Sequence, residues 1–287
     1  MKTLTPLPNI ILRPIIERAL VEDFGNSGDI TARLLVPESA TGSLVMRARE
    51  SGVIAGMQAA QMTYAMVDPN VKFEIIHPTG SAVDEKDIIA RVSGPSRSLL
   101  SAERVALNFL GRMSGVATLT SKYVALASDT TARIAATRKT TPGLRALEKQ
   151  AVLAGGGFTH RESLSAAIMI KDNHIALAGG VDAALGAIKK RADHMTKVSV
   201  EVDTLEQLKK VLTWGPDVVL LDNMGPDMLR EAVAIARDFD GRAPTLEASG
   251  GVNLRTVKDI AETGIDVISI GALTHSAPNF DIGMDAA

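Results

Sequence analysis

The sequence predicts an α/β protein in two parts, an N-terminal α/β open sandwich and a reduced parallel β/α barrel of six to seven strands. Three observations carry this. The chain beyond residue 130 repeats a buried-type strand followed by a helix-like stretch, six times. The repeats end in charged or small polar residues, the pattern of side chains converging on the C-terminal mouth of a barrel. Only 3% of residues are aromatic, so the core must be built from Ala, Val, Ile, Leu and Met.

Taken in order, P-N-I-I-L-R-P-I-I-E-R-A-L-V-E-D-F-G reads as an amphipathic helix ended near Gly25. Arg13, Glu17 and Arg18 interrupt its apolar run, which excludes a signal peptide or membrane span there. Residues 43–49, 72–78 and 88–95 alternate between turn signals as antiparallel or mixed strands, and 58–67 reads as a short helix. Helical periodicity over 101–118 is expected to run into a second helix ending about Ser128. The six strands of the second part are 132–137, 166–171, 197–202, 217–222, 244–249 and 266–271. A doubly wound sheet would gather its polar residues at one switch point; here they are spread over the strand ends. A full eight-unit barrel takes ~250 residues, so the shorter segment 114–275 predicts a reduced or partly open one. The expected division is a sandwich domain over 1–113 and a barrel over 114–275, with the tail 276–287 available to pack on the first domain.

A net charge of −2 argues against a nucleic-acid partner, which asks for a basic excess. With no cysteine, disulfides, thiolate metal sites and a cysteine nucleophile are excluded, and a cytoplasmic protein is expected. No stretch reaches the ~18 apolar residues of a membrane span, so no membrane partner is expected.

The densest chemical signal is T-R-K-T-T-P-G-L-R, in which Thr137, Arg138 and Lys139 stand where a strand ends. Arginine presents a planar fork that pairs bidentately with carboxylate or phosphate, although a solvated basic turn would read the same way. In G-G-G-F-T-H-R-E-S-L three glycines precede His160 and Arg161. Such a loop permits close backbone approach to a ligand, while a lone histidine is more often a satisfied core residue. Lys171 ends an apolar strand in I-M-I-K-D-N-H and cannot stay buried without an anion, with Asp172 as the local alternative. Arg138, Arg161 and Lys171 thus form a carboxylate-binding pole.

Glu201 and Asp222 close successive strands in V-E-V-D and L-L-D-N. Paired carboxylates at a barrel mouth can hydrogen-bond sugar hydroxyls or hold Mg²⁺, most simply through the substrate. A structural salt bridge to Lys139 or Lys171 competes with that reading. The last two strands run into E-A-S-G-G-V-N, with Ser249, Gly250 and Gly251, and into I-S-I-G-A-L-T-H, with Ser269, Ile270 and Gly271. Loops after late barrel strands commonly bind phosphate through backbone N–H groups; plain tight turns are the alternative.

At these residues the sequence resembles the quinolinate phosphoribosyltransferase family. The likeness runs through G-D-I-T (28–31), G-P-S-R-S-L-L-S-A-E-R-V-A-L-N-F-L (94–110), T-R-K-T-T-P-G-L-R, K-D-N-H-I, V-E-V-D, L-L-D-N-M, E-A-S-G-G and G-A-L-T-H-S-A-P. It implies transfer of phosphoribose from phosphoribosyl pyrophosphate to quinolinate with decarboxylation, supported by Mg²⁺, in NAD biosynthesis. It further implies that Arg138, His160, Arg161 and Lys171 meet the quinolinate carboxylates, and that Lys139, Glu201 and Asp222 surround the phosphoribosyl donor. Arg104 matches an arginine delivered from the partner subunit of a homodimer. Three positions depart from the family's G-G-G-x-N-H-R-x-G-L-x-D: Thr159 stands for Asn, Ser163 for Gly and Ala166 for Asp. The charged positions survive, so activity is expected with altered hydrogen bonding in that loop. The rival readings are a related phosphoribosyltransferase for another aromatic acid, and a Schiff-base aldolase using Lys171.

Overall fold

The computed structural model describes residues 4–287. In chain order the elements are α1 (Asn9–Phe24), α2 (Ile30–Leu35), β1 (Thr41–Ala48), β2 (Gly52–Val53), α3 (Met57–Val67), β3 (Lys72–Ile75), β4 (Ala82–Val83), β5 (Ile88–Pro95) and α4 (Ser96–Leu126). There follow β6 (Arg133–Ala135), α5 (Arg145–Ala154), β7 (Ile168–Ile170), α6 (Asp172–Ala178), α7 (Val181–Arg191), β8 (Val198–Val202), α8 (Leu205–Leu212), β9 (Val218–Asp222) and α9 (Pro226–Arg237). The chain ends with β10 (Thr245–Ser249), α10 (Val257–Ala261), β11 (Val267–Ser269), α11 (Ala272–His275) and β12 (Ile282–Ala286). Two compact units result. The first takes residues up to Ser121, Thr140–Gly157 and Leu273–Ala287; the second takes Lys122–Lys139 and Phe158–Ala272.

The first unit is built on a four-stranded sheet ordered β12-β1-β5-β3. Its strands are antiparallel, and a bulge between Met46 and Arg47 shifts the β1–β5 register. Alternation along β1 and β5 sends Met46, Ala48, Ala90 and Val92 into a core shared with Ile54, Met57, Tyr64, Leu99, Leu110 and Phe280. Each buried Val, Leu, Ile, Met or Phe side chain there contributes ~1.5–3 kcal/mol by leaving water. Asp29, from the G-D-I-T segment, caps α2 by accepting the Ala32 N–H at 2.8 Å.

Two features depart from the sequence expectation. One helix, α4, runs for 31 residues where two were expected. Its internal glycines are sites of close approach. A Cβ on Gly115 would stand 1.9 Å from the Pro278 carbonyl oxygen, and one on Gly111 3.0 Å from that of Phe280. The second is β12, a strand that no expectation covered; it pairs with β1 from Leu44↔Ala286 to Ala48↔Ile282.

The second unit holds six parallel strands ordered β6-β11-β10-β9-β8-β7. Their inner faces surround a common cavity, so the sheet is curled into a barrel. No ladder joins β6 to β7; the seam is filled by Phe158, whose N–H donates to the Ile134 carbonyl at 2.8 Å and whose carbonyl accepts from the Ala136 N–H at 2.9 Å. The barrel is therefore partly open. Helix α8 starts at a capping box in which the Thr204 hydroxyl accepts from the Gln207 N–H and the Gln207 side chain accepts from the Thr204 N–H. Pro226 opens α9, where its missing N–H costs nothing.

Candidate active site

Strand alternation divides each barrel strand into an outer and an inner face. On β8, Val198, Val200 and Val202 alternate with Ser199 and Glu201; on β10, Leu246 and Ala248 alternate with Thr245, Glu247 and Ser249. The inner face is layered. Ala135, Met169, Ser199, Val218, Glu247 and Val267 line a cavity of about 390 Å³, which the 158–161 segment also borders. One step further along the strands, their C-terminal ends carry the charged groups.

Lys171 follows β7 and meets Glu201 of β8: its ammonium donates to the Glu201 carboxylate. The salt bridge weighed from the sequence is thus present, and Glu201, not the neighbouring Asp172, is the anion that settles Lys171. Asp172 instead accepts the Asn173 N–H at 2.7 Å. His174 fixes the start of α6 by accepting the Lys171 N–H on Nδ1 at 3.0 Å. That contact explains the histidine of K-D-N-H.

Asp222 ends β9 beside this pair. Burial pushes its carboxyl above the ordinary range; Asp203 adds to the rise, and Lys171 and Lys139 oppose it. Two acids and two cations therefore act on one another at these strand ends. Asn223 completes the corner. Its side chain donates to Asp222 at 2.6 Å, its N–H donates to the Ser249 carbonyl at 2.8 Å, and its own φ is 55°. Gly250, at φ 89°, lies so close that a Cβ there would stand 2.1 Å from the Asn223 Oδ1. L-L-D-N and E-A-S-G-G are consequently one interlocked piece of structure. Gly251, at φ 63°, faces open space.

Arg138 and Arg161 come together on the other side of the mouth. Burial lowers the Arg161 guanidinium below its ordinary range, and the like charge of Arg138 adds to the effect. Arg161 Nη1 donates to the Ala167 carbonyl at 3.0 Å. Two adjacent guanidiniums repel unless an anion is shared between them. His160 has both ring nitrogens engaged: Nδ1 accepts the Arg161 N–H at 2.8 Å, and Nε2 lies 3.3 Å from Glu247 Oε2. A direct contact of His160 with a ligand would require its ring to leave Glu247. Thr137 accepts the Lys139 N–H at 3.0 Å and shapes the turn that presents Lys139.

Of the residues singled out from the sequence, Arg138, Lys139, His160, Arg161, Lys171, Glu201, Asp222, Ser249, Gly250, Gly251, Ser269, Ile270 and Gly271 all belong to the barrel unit. Ser269 and Ile270 are buried. Arg104 lies on α4 of the other unit, exposed. Glu201 and Asp222 join no cluster of three or more metal-type ligands among the described residues. Asp203, Asn223, His174 and Glu247 were missed. Asn223 directly follows the strand end Asp222, and Asp203 directly follows β8, positions that could have marked them; Glu247 inside an apolar strand was the strongest unused signal.

A partly open parallel barrel with a charged mouth and glycine turns defines a β/α-barrel enzyme for a multiply anionic small ligand. Family models give the particular membership: "Quinolinate phosphoribosyl transferase, N-terminal domain" matches residues 29–114 and the corresponding C-terminal domain matches 116–285. A tobacco (Nicotiana tabacum) quinolinate phosphoribosyltransferase [decarboxylating] is 40% identical over 96% of this chain and 82% of its own. A chloroplastic nicotinate-nucleotide pyrophosphorylase [carboxylating] of Arabidopsis thaliana is also 40% identical, over 96% of this chain and 83% of its own. The solved nicotinate-nucleotide pyrophosphorylase of Francisella tularensis superposes with a TM-score of 0.93 at 35% identity, covering 100% of both chains. The chain belongs to the quinolinate phosphoribosyltransferase family.

Proposed function

We propose that this protein transfers phosphoribose from phosphoribosyl pyrophosphate to quinolinate, releasing pyrophosphate and carbon dioxide and leaving nicotinate mononucleotide, within NAD biosynthesis. The observation that carries the reading is the closeness of Arg138 to Arg161 at a mouth that also carries Lys171 on its other side. A dicarboxylate offers one carboxylate to each guanidinium, whereas a monocarboxylate such as nicotinate offers only one. The tobacco relative's name, with "quinolinate" and "decarboxylating" in it, supports the same substrate.

The donor fits the opposite side. Asp222 and Glu201 would hold ribose hydroxyls, and Lys139 would face the phosphates with the open backbone of Gly251. Mg²⁺, when bound to the donor's pyrophosphate, would lie against Asp222 and neutralise the leaving group. As the C1–oxygen bond to pyrophosphate breaks, positive charge grows on the ribose carbon, and the two carboxylates favour it. The pyridine nitrogen then supplies the electron pair of the new bond. The ring nitrogen becomes cationic and accepts charge as the adjacent carboxylate departs; the carbon–carbon pair stays on the ring carbon, which takes a proton from solvent. Loss of the charge of the departing carboxylate removes one partner from the arginine pair.

A homodimer in which Arg104 of a second copy reaches the site, and a cytoplasmic location, belong to the same proposal. Among the described residues no helix is long and apolar enough to cross a membrane. The geometry disfavours the aldolase reading, since Lys171 Nζ is already engaged by Glu201. The test is release of pyrophosphate and carbon dioxide from quinolinate, donor and Mg²⁺. Turnover of nicotinate with quinolinate ignored would defeat the substrate assignment.

A further inference from the structure

Glu247 takes no part in the reaction proposed above. It stands in the middle of β10, opposite Leu220 on one side and Val267 on the other, and is 4% exposed. A carboxylate so placed is costly unless something holds it. Oε1 has no hydrogen-bond partner among the described residues, while Oε2 lies 3.3 Å from His160 Nε2.

The other side of the imidazole completes the argument. Nδ1 accepts the Arg161 N–H at 2.8 Å, which leaves Nε2, 3.3 Å from Glu247 Oε2, as the nitrogen to carry the ring proton. His160 belongs to the segment that fills the open seam. Phe158 is bonded to β6, and the Arg161 side chain is bonded to Ala167, the residue before β7. The third anchor of this segment is Glu247, on a strand two removed from β6 in the sheet order and reached through the barrel interior.

We infer that Glu247 is a positioning residue: through the barrel interior it holds His160 as the Nε2–H tautomer, and His160 in turn fixes the Arg161 peptide so that its guanidinium faces the substrate carboxylate. Thr159 and Ala166, two of the three departures from the family motif, border the same cavity. The inference rests on the proposal that Arg161 receives a quinolinate carboxylate.

The first measurement needs neither substrate nor mutant activity. In protein labelled with ¹⁵N-histidine, one ring assigned by its loss in His160→Asn should show the neutral Nε2–H pattern at neutral pH. An Nδ1–H ring or an imidazolium there overturns the inference. In kinetics, Glu247→Ala should raise the KM for quinolinate tenfold or more while the donor KM stays within twofold, the size expected for losing a buried charged hydrogen bond. Glu247→Gln, which keeps a carbonyl acceptor, should return to within threefold. Glu247→Ala added to His160→Ala should cost nothing further, because both remove the same anchor. Additive losses, or a fall in melting temperature with both KM values unchanged, overturn the inference. Should Glu247→Ala not fold, Glu247→Gln and the tautomer decide. A parent protein that ignores quinolinate defeats the functional proposal alone, since the tautomer measurement is unaffected by it.

Discussion

Gly250→Ala isolates the corner that joins β9 to β10. The residue sits at φ 89°, and its new Cβ would stand 2.1 Å from Asn223 Oδ1, 2.6 Å from Cγ and 3.0 Å from the Asn223 backbone nitrogen. A non-glycine residue in left-handed conformation costs ~1–2 kcal/mol. The short asparagine side chain cannot yield at its tip alone, so it must swing away and give up its 2.6 Å bond to Asp222. A hydrogen bond to a charged group is worth ~1.5–3 kcal/mol, which brings the total to ~2.5–5 kcal/mol. Gly251→Ala is the control: φ is 63°, but nothing lies within 4 Å of the added Cβ, so only the conformational cost remains. At ~2–4 °C per kcal/mol for a chain of this scale, Gly250→Ala should melt about 3–12 °C below Gly251→Ala. Thermal unfolding measures the gap, and the KM for the phosphoribosyl donor should rise more in Gly250→Ala. Equal melting temperatures with equal donor KM values would refute the interlock between Asn223 and the Ser-Gly turn.

Three further outcomes are expected. Glu148 is fully buried, 2.7 Å from Arg112 Nη2 and 2.7 Å from the Thr141 hydroxyl that donates to it. Glu148→Gln should therefore lower stability by ~1.5–3 kcal/mol, the size of a lost hydrogen bond to a charged group, since Arg112 is partly exposed and keeps the Thr274 and Ala277 carbonyls as acceptors; denaturant unfolding reads it. Burial raises the Asp222 carboxyl, so its ionised form opposes folding; that penalty is absent below the unfolded-state value of ~3.9 and complete above the folded one. Asp222→Asn should thus melt above the parent at neutral pH, lose this advantage as pH falls toward 4, and lose turnover. For Asp217 the sign is opposite. The Val198 N–H, then Lys197 and Arg242, lower its carboxyl, so Asp217→Asn should melt below the parent at neutral pH, and melting curves of the two should converge as acid removes the parent's advantage.

The six barrel strands were legible because each is a short run of Val, Ile, Leu and Ala bounded by polar residues, and the backbone needs no more than that to form a buried parallel strand. The charged strand ends were legible for the same reason: a lysine such as Lys171 after I-M-I is conspicuous. Helix α4 was read as two helices meeting near residue 118 instead of one of 31 residues, and the close approach of Gly111 and Gly115 to residues 278–280 was not legible, because it involves chain far away in sequence. β12 was missed because I-G-M-D-A alternates weakly and becomes a strand by pairing with β1. Glu247 was passed over as part of E-A-S-G-G, since its partner His160 comes from a loop almost ninety residues earlier.

By itself the sequence determined the fold class, the six-strand rhythm and the chemical types at the strand ends, since these follow from local apolar periodicity and the cost of burying charge. Only the tertiary structure decided the pairings. It gave Lys171 to Glu201 in place of Asp172, set Arg138 against Arg161, locked Asn223 under Gly250 and turned His160 toward Glu247. Which cation meets which anion depends on strand order and register. Both are set by packing over the whole barrel, and no stretch of neighbouring residues contains them.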